Sequence, residues 1–170
     1  YWEAARDWGS WDWRELCAPA IAQAEQGFAV RRHVHFWWTH GAEFGRAEVA
    51  DRLRFSSTGA RIYFRPDGSV KRIGDTVHNP DLATTLERIA QHGADIFYSG
   101  EIAEQIADDF KANGGLMSLE DLKDYKTVRH DPLRGSYRGF DIATNHPPGG
   151  GIMLVEMLNI LEHFDLAGMG

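Results

Sequence analysis

Along most of this chain apolar residues recur three or four positions apart, the spacing of one helical face. Strict alternation takes over only near residues 132–145. Trp13, Leu16, Cys17, Ala20, Ile21 and Ala24 make the first helical face, with Ser10 placed to cap it and Gly27 to stop it. Pro19 lies inside the run and either kinks the helix or opens a second one at its first turn. Phe28 and Val30 follow as a short apolar link.

Residues 31–60 carry the weakest pattern. His33 to His40 is aromatic and basic without a clean period. A helix is expected over residues 43–55, using Phe44, Ala47, Val49 or Ala50, and Leu53, with Ser56, Ser57, Thr58 and Gly59 breaking it. Next comes a hairpin signal. Arg61 to Phe64 is strand-like, Pro66, Asp67 and Gly68 suit a turn, and Val70 to Ile73 is the returning strand.

The pattern sharpens from Asn79. Asn79 suits an N-cap and Pro80 the first helical position. Leu82, Leu86, Ile89 and Ala90 form one stripe, and Gly93 closes the helix. A second helix spans Glu101 to Asn113 on Ile102, Ile106 and Phe110. Ser118 and Asp121 have the spacing of a capping box for a short helix ending near Tyr125. Pro132 to Tyr137 and Phe140 to Asn145 then read as two strands joined at Arg138 and Gly139. Pro147 and Pro148 end that pattern, Gly149, Gly150 and Gly151 follow, and a last helix carries Leu154, Met157, Leu158, Leu161 and Phe164. The predicted class is α+β, rich in helix, with a β-hairpin near 132–145.

The 170 residues suit one domain or part of a larger one, and 43% hydrophobic content is enough for a core. A net charge of −7, spread along the chain, disfavours nucleic acid as a partner, because neutralising phosphates needs clustered Lys and Arg. No apolar run has the length of a membrane span. Both ends fall in dense sequence, so residues 1–170 are expected to form a single partial domain truncated on both sides. The lone Cys17 forbids an internal disulfide, and its apolar neighbours point to a buried thiol.

Several strings occur in a telling order: NPDLATTLERIAQHGADIFYSGEIAEQIADDF, GGLMSLEDLKDY, PLRGSYRGFDIAT and HPPGGGIMLVEMLNILEHFDL. With the earlier WDWRELCAPAIAQAEQGFAV, this series resembles the large-subunit part of γ-glutamyltransferases. Residues 31–60 match poorly. The resemblance implies an N-terminal-nucleophile hydrolase, a sandwich of two sheets between helical layers (αββα). Such enzymes are made as one precursor that cuts itself before a threonine, giving a large and a small subunit. The threonine hydroxyl attacks a γ-glutamyl amide, as in glutathione, with its own α-amino group as base. That threonine is expected downstream of Gly170, and the arginine that pairs with the substrate carboxylate upstream of Tyr1. No catalytic residue is therefore assigned within the chain. The implied partners are the small-subunit portion of the same precursor and a γ-glutamyl peptide. No cofactor and no metal is implied, and bacterial relatives are often exported to the periplasm or beyond.

One departure stands out. The family loop usually continues Pro-Pro-Ser-Ser-Gly-Gly, whereas this chain reads Pro147-Pro148-Gly149-Gly150-Gly151. Pro148, Gly149, Gly150 and Gly151 are the candidate substrate-binding residues, since glycines ahead of a helix present N–H groups to an anion or oxyanion. The plainer reading is a tight strand-to-helix turn. His33, His35, His40 and Glu43 are the metal-like group, weighed against a packed surface with polar tips. The six tryptophans between Trp2 and Trp38 are expected mainly in packing, and Glu120, Asp121 and Asp124 in capping. The rival readings are a related acylase with a glutaryl or poly-γ-glutamyl substrate, and a non-enzymatic helical interaction domain.

Overall fold

The computed structural model describes every residue except Glu43, Phe44 and Gly170. Its described residues form two compact units, residues 1–125 and 126–170.

The first unit is mostly helical. α1 (Trp2–Trp8) precedes α2 (Trp13–Gln26). Asp12, not Ser10, caps α2. Its carboxylate accepts the Arg14 N–H at 2.9 Å, and Ser10 stands too early to reach the first free amides. Pro19 lies within one continuous helix. α2 packs along α6 (Pro80–His92). The Trp13 indole N–H donates to the Ile89 carbonyl at 3.0 Å, and Trp2 meets the Trp13 ring edge-on at 5.1 Å. Asn79 caps α6 as the sequence predicts, its Oδ1 accepting the Leu82 N–H at 3.1 Å. The buried face, however, belongs to Ala83 and Ala90, while Leu82 stays exposed.

The expected apolar link at Phe28 is a strand. β1 (Phe28–Ala29) pairs antiparallel with β2 (Thr76–Val77). Val30, 1% exposed, sits beside this ladder with Ile62 and Val77, and Trp38 and Tyr63 pack over them with rings 5.3 Å apart. This small core holds the segment whose pattern was weakest. α3 (Arg32–Thr39) takes up the aromatic block as a helix. The helix expected over 43–55 shrinks to α4 (Val49–Leu53), and Phe44 lies outside the described residues. Gly45, at φ +76, occupies a left-handed conformation that no helix continues through.

Ser56 starts a helix instead of ending one. Its hydroxyl accepts the Gly59 N–H at 3.0 Å, opening α5 (Ser57–Tyr63). Gly59 is buried, and a Cβ there would land on the Leu53 carbonyl oxygen. The strand expected over Arg61 to Phe64 is thus helical up to Tyr63. What remains of the hairpin is a Phe64–Val70 bridge and the turn between them, closed by Arg65 N–H to Ser69 O at 2.8 Å. The Arg65 guanidinium grips Asp75 with two bonds, 2.6 and 2.8 Å.

α7 (Asp95–Tyr98), α8 (Glu101–Ala112) and α9 (Leu119–Asp124) complete the unit. Ile102 and Ala103 are buried on α8. The capping box predicted at Ser118 and Asp121 is present in both directions. Tyr98 stacks on Tyr125 at 5.1 Å with rings nearly parallel.

In the second unit β3 (Leu133–Tyr137) pairs with β4 (Phe140–Thr144), Leu133 opposite Thr144 and Tyr137 opposite Phe140. Arg138 and Gly139, both at positive φ, make the two-residue turn expected there. α10 (Gly151–Glu162) lies against this hairpin, so close that a Cβ on Gly135 would come within 3.0 Å of Val155. Glu162 Oε1 accepts the Arg138 N–H at 2.8 Å, tying the turn to the helix end. The predicted stripe on α10 is rotated. Val155 and Leu158 are half-buried, while Leu154, Met157, Leu161 and Phe164 are exposed. α10 is apolar nearly all round, so sequence alone gives it no preferred face. The helix-rich α+β class and its hairpin are as predicted. Among the described residues no helix is long and apolar enough to cross a membrane.

Candidate functional site

The glycine loop sits where β4 hands over to α10. After Thr144 come Asn145, His146 and the Pro147–Pro148 peptide, which is cis. The Gly149 N–H donates to the His146 carbonyl at 2.9 Å, closing a tight turn. His146 is fixed in turn, its Nε2 lying 2.7 Å from the Asp131 carbonyl oxygen. Gly150 caps α10 without a side-chain bond, and the first helical bond runs from Leu154 N–H to Gly150 O at 3.0 Å. The N–H groups of Gly151, Ile152 and Met153 therefore precede the intrahelical ladder and point out of the helix end. Such an end carries partial positive charge and favours a carboxylate or oxyanion.

The structure thus gathers Pro148, Gly149, Gly150 and Gly151 at one helix end, with distinct environments. Pro148 and Gly150 are exposed, Gly149 is half-buried and Gly151 is buried. A Cβ on Gly150 would meet open space. A Cβ on Gly149 would land on the Asn145 carboxamide, and one on Gly151 on the Asn145 carbonyl oxygen, with Thr144 Oγ1 2.6 Å away. Gly151 is therefore demanded by close packing against backbone, which supports the plainer reading of a tight turn there, whereas at Gly149 the obstacle is a side-chain end that can swing aside. Asn145, which sequence reasoning took only as the end of a strand, fills the space that a side chain at 149 would need.

The other candidates separate. α3 places His33 and His35 two positions apart on a helix, hence on different faces rather than on the common face a strand would give. Glu43 lies outside the described residues. Among the described residues no three His, Cys, Asp or Glu side chains gather as metal ligands. Burial raises the Cys17 thiol above its ordinary range, the opposite of an activated nucleophile. The hydrogen bonds that Asp121 accepts from Ser118 lower its carboxyl below the usual range, as a cap should. The tryptophans divide: Trp2, Trp13 and Trp38 pack on rings, whereas Trp8 and Trp11 are exposed.

The family model described as gamma-glutamyltranspeptidase matches residues 1–170, the entire chain. The chain belongs to this family. It is 36% identical to the glutathione hydrolase proenzyme of Bacillus subtilis (strain 168), over 97% of its own length and 27% of that protein's. It is 34% identical to the acylase ACY 1 proenzyme of Pseudomonas sp. (strain V22), over 99% of its length and 29% of that protein's. The solved gamma-glutamyltranspeptidase of Helicobacter pylori superposes with a TM-score of 0.85 at 32% identity, covering 99% of this chain and 46% of the matched chain. The chain therefore spans little more than a quarter of its curated relatives, several of which are proenzymes.

Proposed function

We propose that this chain is a large-subunit segment of an enzyme that hydrolyses or transfers γ-glutamyl groups, as from glutathione. The observation that carries the reading is the family match over all 170 residues. The chemistry resides outside the chain, in a threonine that heads the small subunit. The partner is that small-subunit portion of the same precursor, and the substrate of the assembled enzyme is a γ-glutamyl peptide. Residues 1–170 act as one piece of a larger domain, with the hairpin joining or flanking the sheets of an αββα sandwich.

Within this reading the Pro148 to Gly151 loop lines the assembled cleft. Support comes from the α10 N–H groups directly behind an exposed, unhindered Gly150. A γ-glutamyl donor carries a carboxylate that such a helix end favours. The similarity to an acylase keeps a second reading open, an amide acylase with another acyl group such as glutaryl.

The test is a chromogenic γ-glutamyl anilide assay, run on the purified chain and on the protein that includes a threonine-led second segment. The expected result is turnover by the longer protein only. Turnover by residues 1–170 alone overturns the placement of the nucleophile. A longer protein that cleaves glutaryl but not γ-glutamyl anilide moves the assignment to the acylase reading.

A further inference from the structure

Residues 31–60 contain a cleft that sets an exposed indole beside two arginines. It lies between α3 and α4, has a volume of about 420 Å³, and is lined among others by Trp37, His40, Arg46, Val49 and Arg52. That volume lies within the range of small-molecule sites.

Two features define what the cleft can hold. Trp37 is 53% exposed, yet its indole is not loose. His33, Phe36 and His40 meet it edge-on, with centroids 6.2, 5.4 and 6.1 Å away. A ring fixed on several sides with one surface open is a stacking platform prepared at little entropic cost. The second feature is cationic. Arg6, Arg61, Arg65 and Arg88 are ion-paired, and Arg54 lies over the Phe64 ring. Among the described residues no ion pair or ring contact holds the guanidiniums of Arg14, Arg31, Arg32, Arg46, Arg52 or Arg134, and of these only Arg46 and Arg52 line this cleft. Two described carboxylates, Glu48 and Asp51, belong to the same segment, and Glu48 accepts the Ala42 N–H at 3.0 Å. In this cleft two guanidiniums without an ion pair among the described residues therefore stand beside an open indole. Guanidinium groups bind carboxylates through paired, charge-assisted hydrogen bonds.

We infer that this cleft is a binding site for a small planar organic carboxylate, its ring against Trp37 and its carboxylate on Arg46 and Arg52. The inference is independent of the γ-glutamyl reading, since none of these residues belongs to the glycine loop.

The experiment titrates the purified chain with benzoate by calorimetry and by the tryptophan indole N–H signals in NMR. The signal of Trp37 is assigned from Trp37→Phe. Benzamide and acetate serve as probes lacking the charge and the ring. Saturable benzoate binding is expected, with the Trp37 signal shifting most. Benzamide and acetate should each bind at least tenfold more weakly. Arg46→Gln and Arg52→Gln should each weaken benzoate at least tenfold, and added salt should weaken it further. Both arginines are exposed, so the variants should keep the parent's circular dichroism. The proposal is overturned by absence of saturable benzoate binding, or by binding that Arg46→Gln/Arg52→Gln leaves unchanged. Equal affinity for benzamide, or a shift confined to other tryptophans, also overturns it.

Discussion

Gly151→Ala should destabilise the second unit although it introduces the best helix former at the first position of α10. Gly151 is not at positive φ, so the usual effect of replacing glycine would be a gain of about 0.4–1 kcal/mol through the unfolded chain. The site does not permit it. The new Cβ would land on the Asn145 carbonyl oxygen, with Thr144 Oγ1 and Cγ2 at 2.6 and 2.7 Å. The first obstacle is backbone at the exit of β4, so no rotamer change relieves it. Overpacking of this kind costs about 1–3 kcal/mol, leaving a net loss of about 0–2.6 kcal/mol, centred on about 1.3 kcal/mol. Gly150→Ala is the internal control. Its Cβ meets nothing, and the change should stay within about 0.5 kcal/mol. Both can be read from native-state hydrogen exchange of the β3 and β4 amides, which reports local opening. A loss of about 1.4 kcal/mol means roughly tenfold faster exchange in Gly151→Ala. Equal protection in the two variants would refute the claim that Gly151 is set by close packing against the strand end.

Three further outcomes follow from contacts in the first unit. Trp13→Phe removes the indole bond to the Ile89 carbonyl and part of the edge-on pair with Trp2. Because that carbonyl also accepts the Gly93 N–H, the loss should be about 1–2 kcal/mol, seen as a lowered melting temperature. Ser118→Ala dismantles the capping box and should cost about 0.5–2 kcal/mol, with faster exchange confined to α9 and its neighbours. Hydrogen bonds from Arg65 and from the Arg72 N–H hold the Asp75 carboxyl well below the ordinary carboxylate range. A lowered folded-state pKa stabilises the fold above the ordinary value, about 3.9, and that stabilisation is lost as pH falls through the acid range. The parent's melting temperature should therefore drop more steeply below pH 4 than that of Asp75→Asn, and parallel curves would contradict this.

Legibility tracked how local the determining interactions are. Asn79 with Pro80, Ser118 with Asp121, and Arg138 with Gly139 each act within four residues, and each stands where the sequence places it. Residues 31–60 failed on the same criterion. The aromatic block became helical α3, held from one side by Trp38 on Tyr63, a contact between residues far apart in the chain. Ser56 and Gly59 look like a break by composition, yet one caps α5 and the other lets Leu53 approach. Of the candidate site, the loop was visible as three glycines, but which of them are demanded by packing was not.

The sequence by itself determined the family, the helix-rich α+β class, the caps and the hairpin turn, because hydrophobic spacing and turn chemistry are properties of neighbouring residues. Tertiary structure decided which faces are buried. Leu82 and Leu154 lie in apolar stripes and are exposed, whereas Ala83, Ala90 and Val155 make the contacts. Close backbone approach selects small side chains over large ones wherever two elements pack within a methyl group of each other. The same constraint separates Gly151, crowded by Asn145, from Gly150, which is open. Nothing in the string Gly-Gly-Gly distinguishes them, since the distinction is made by the strand that returns beside the loop.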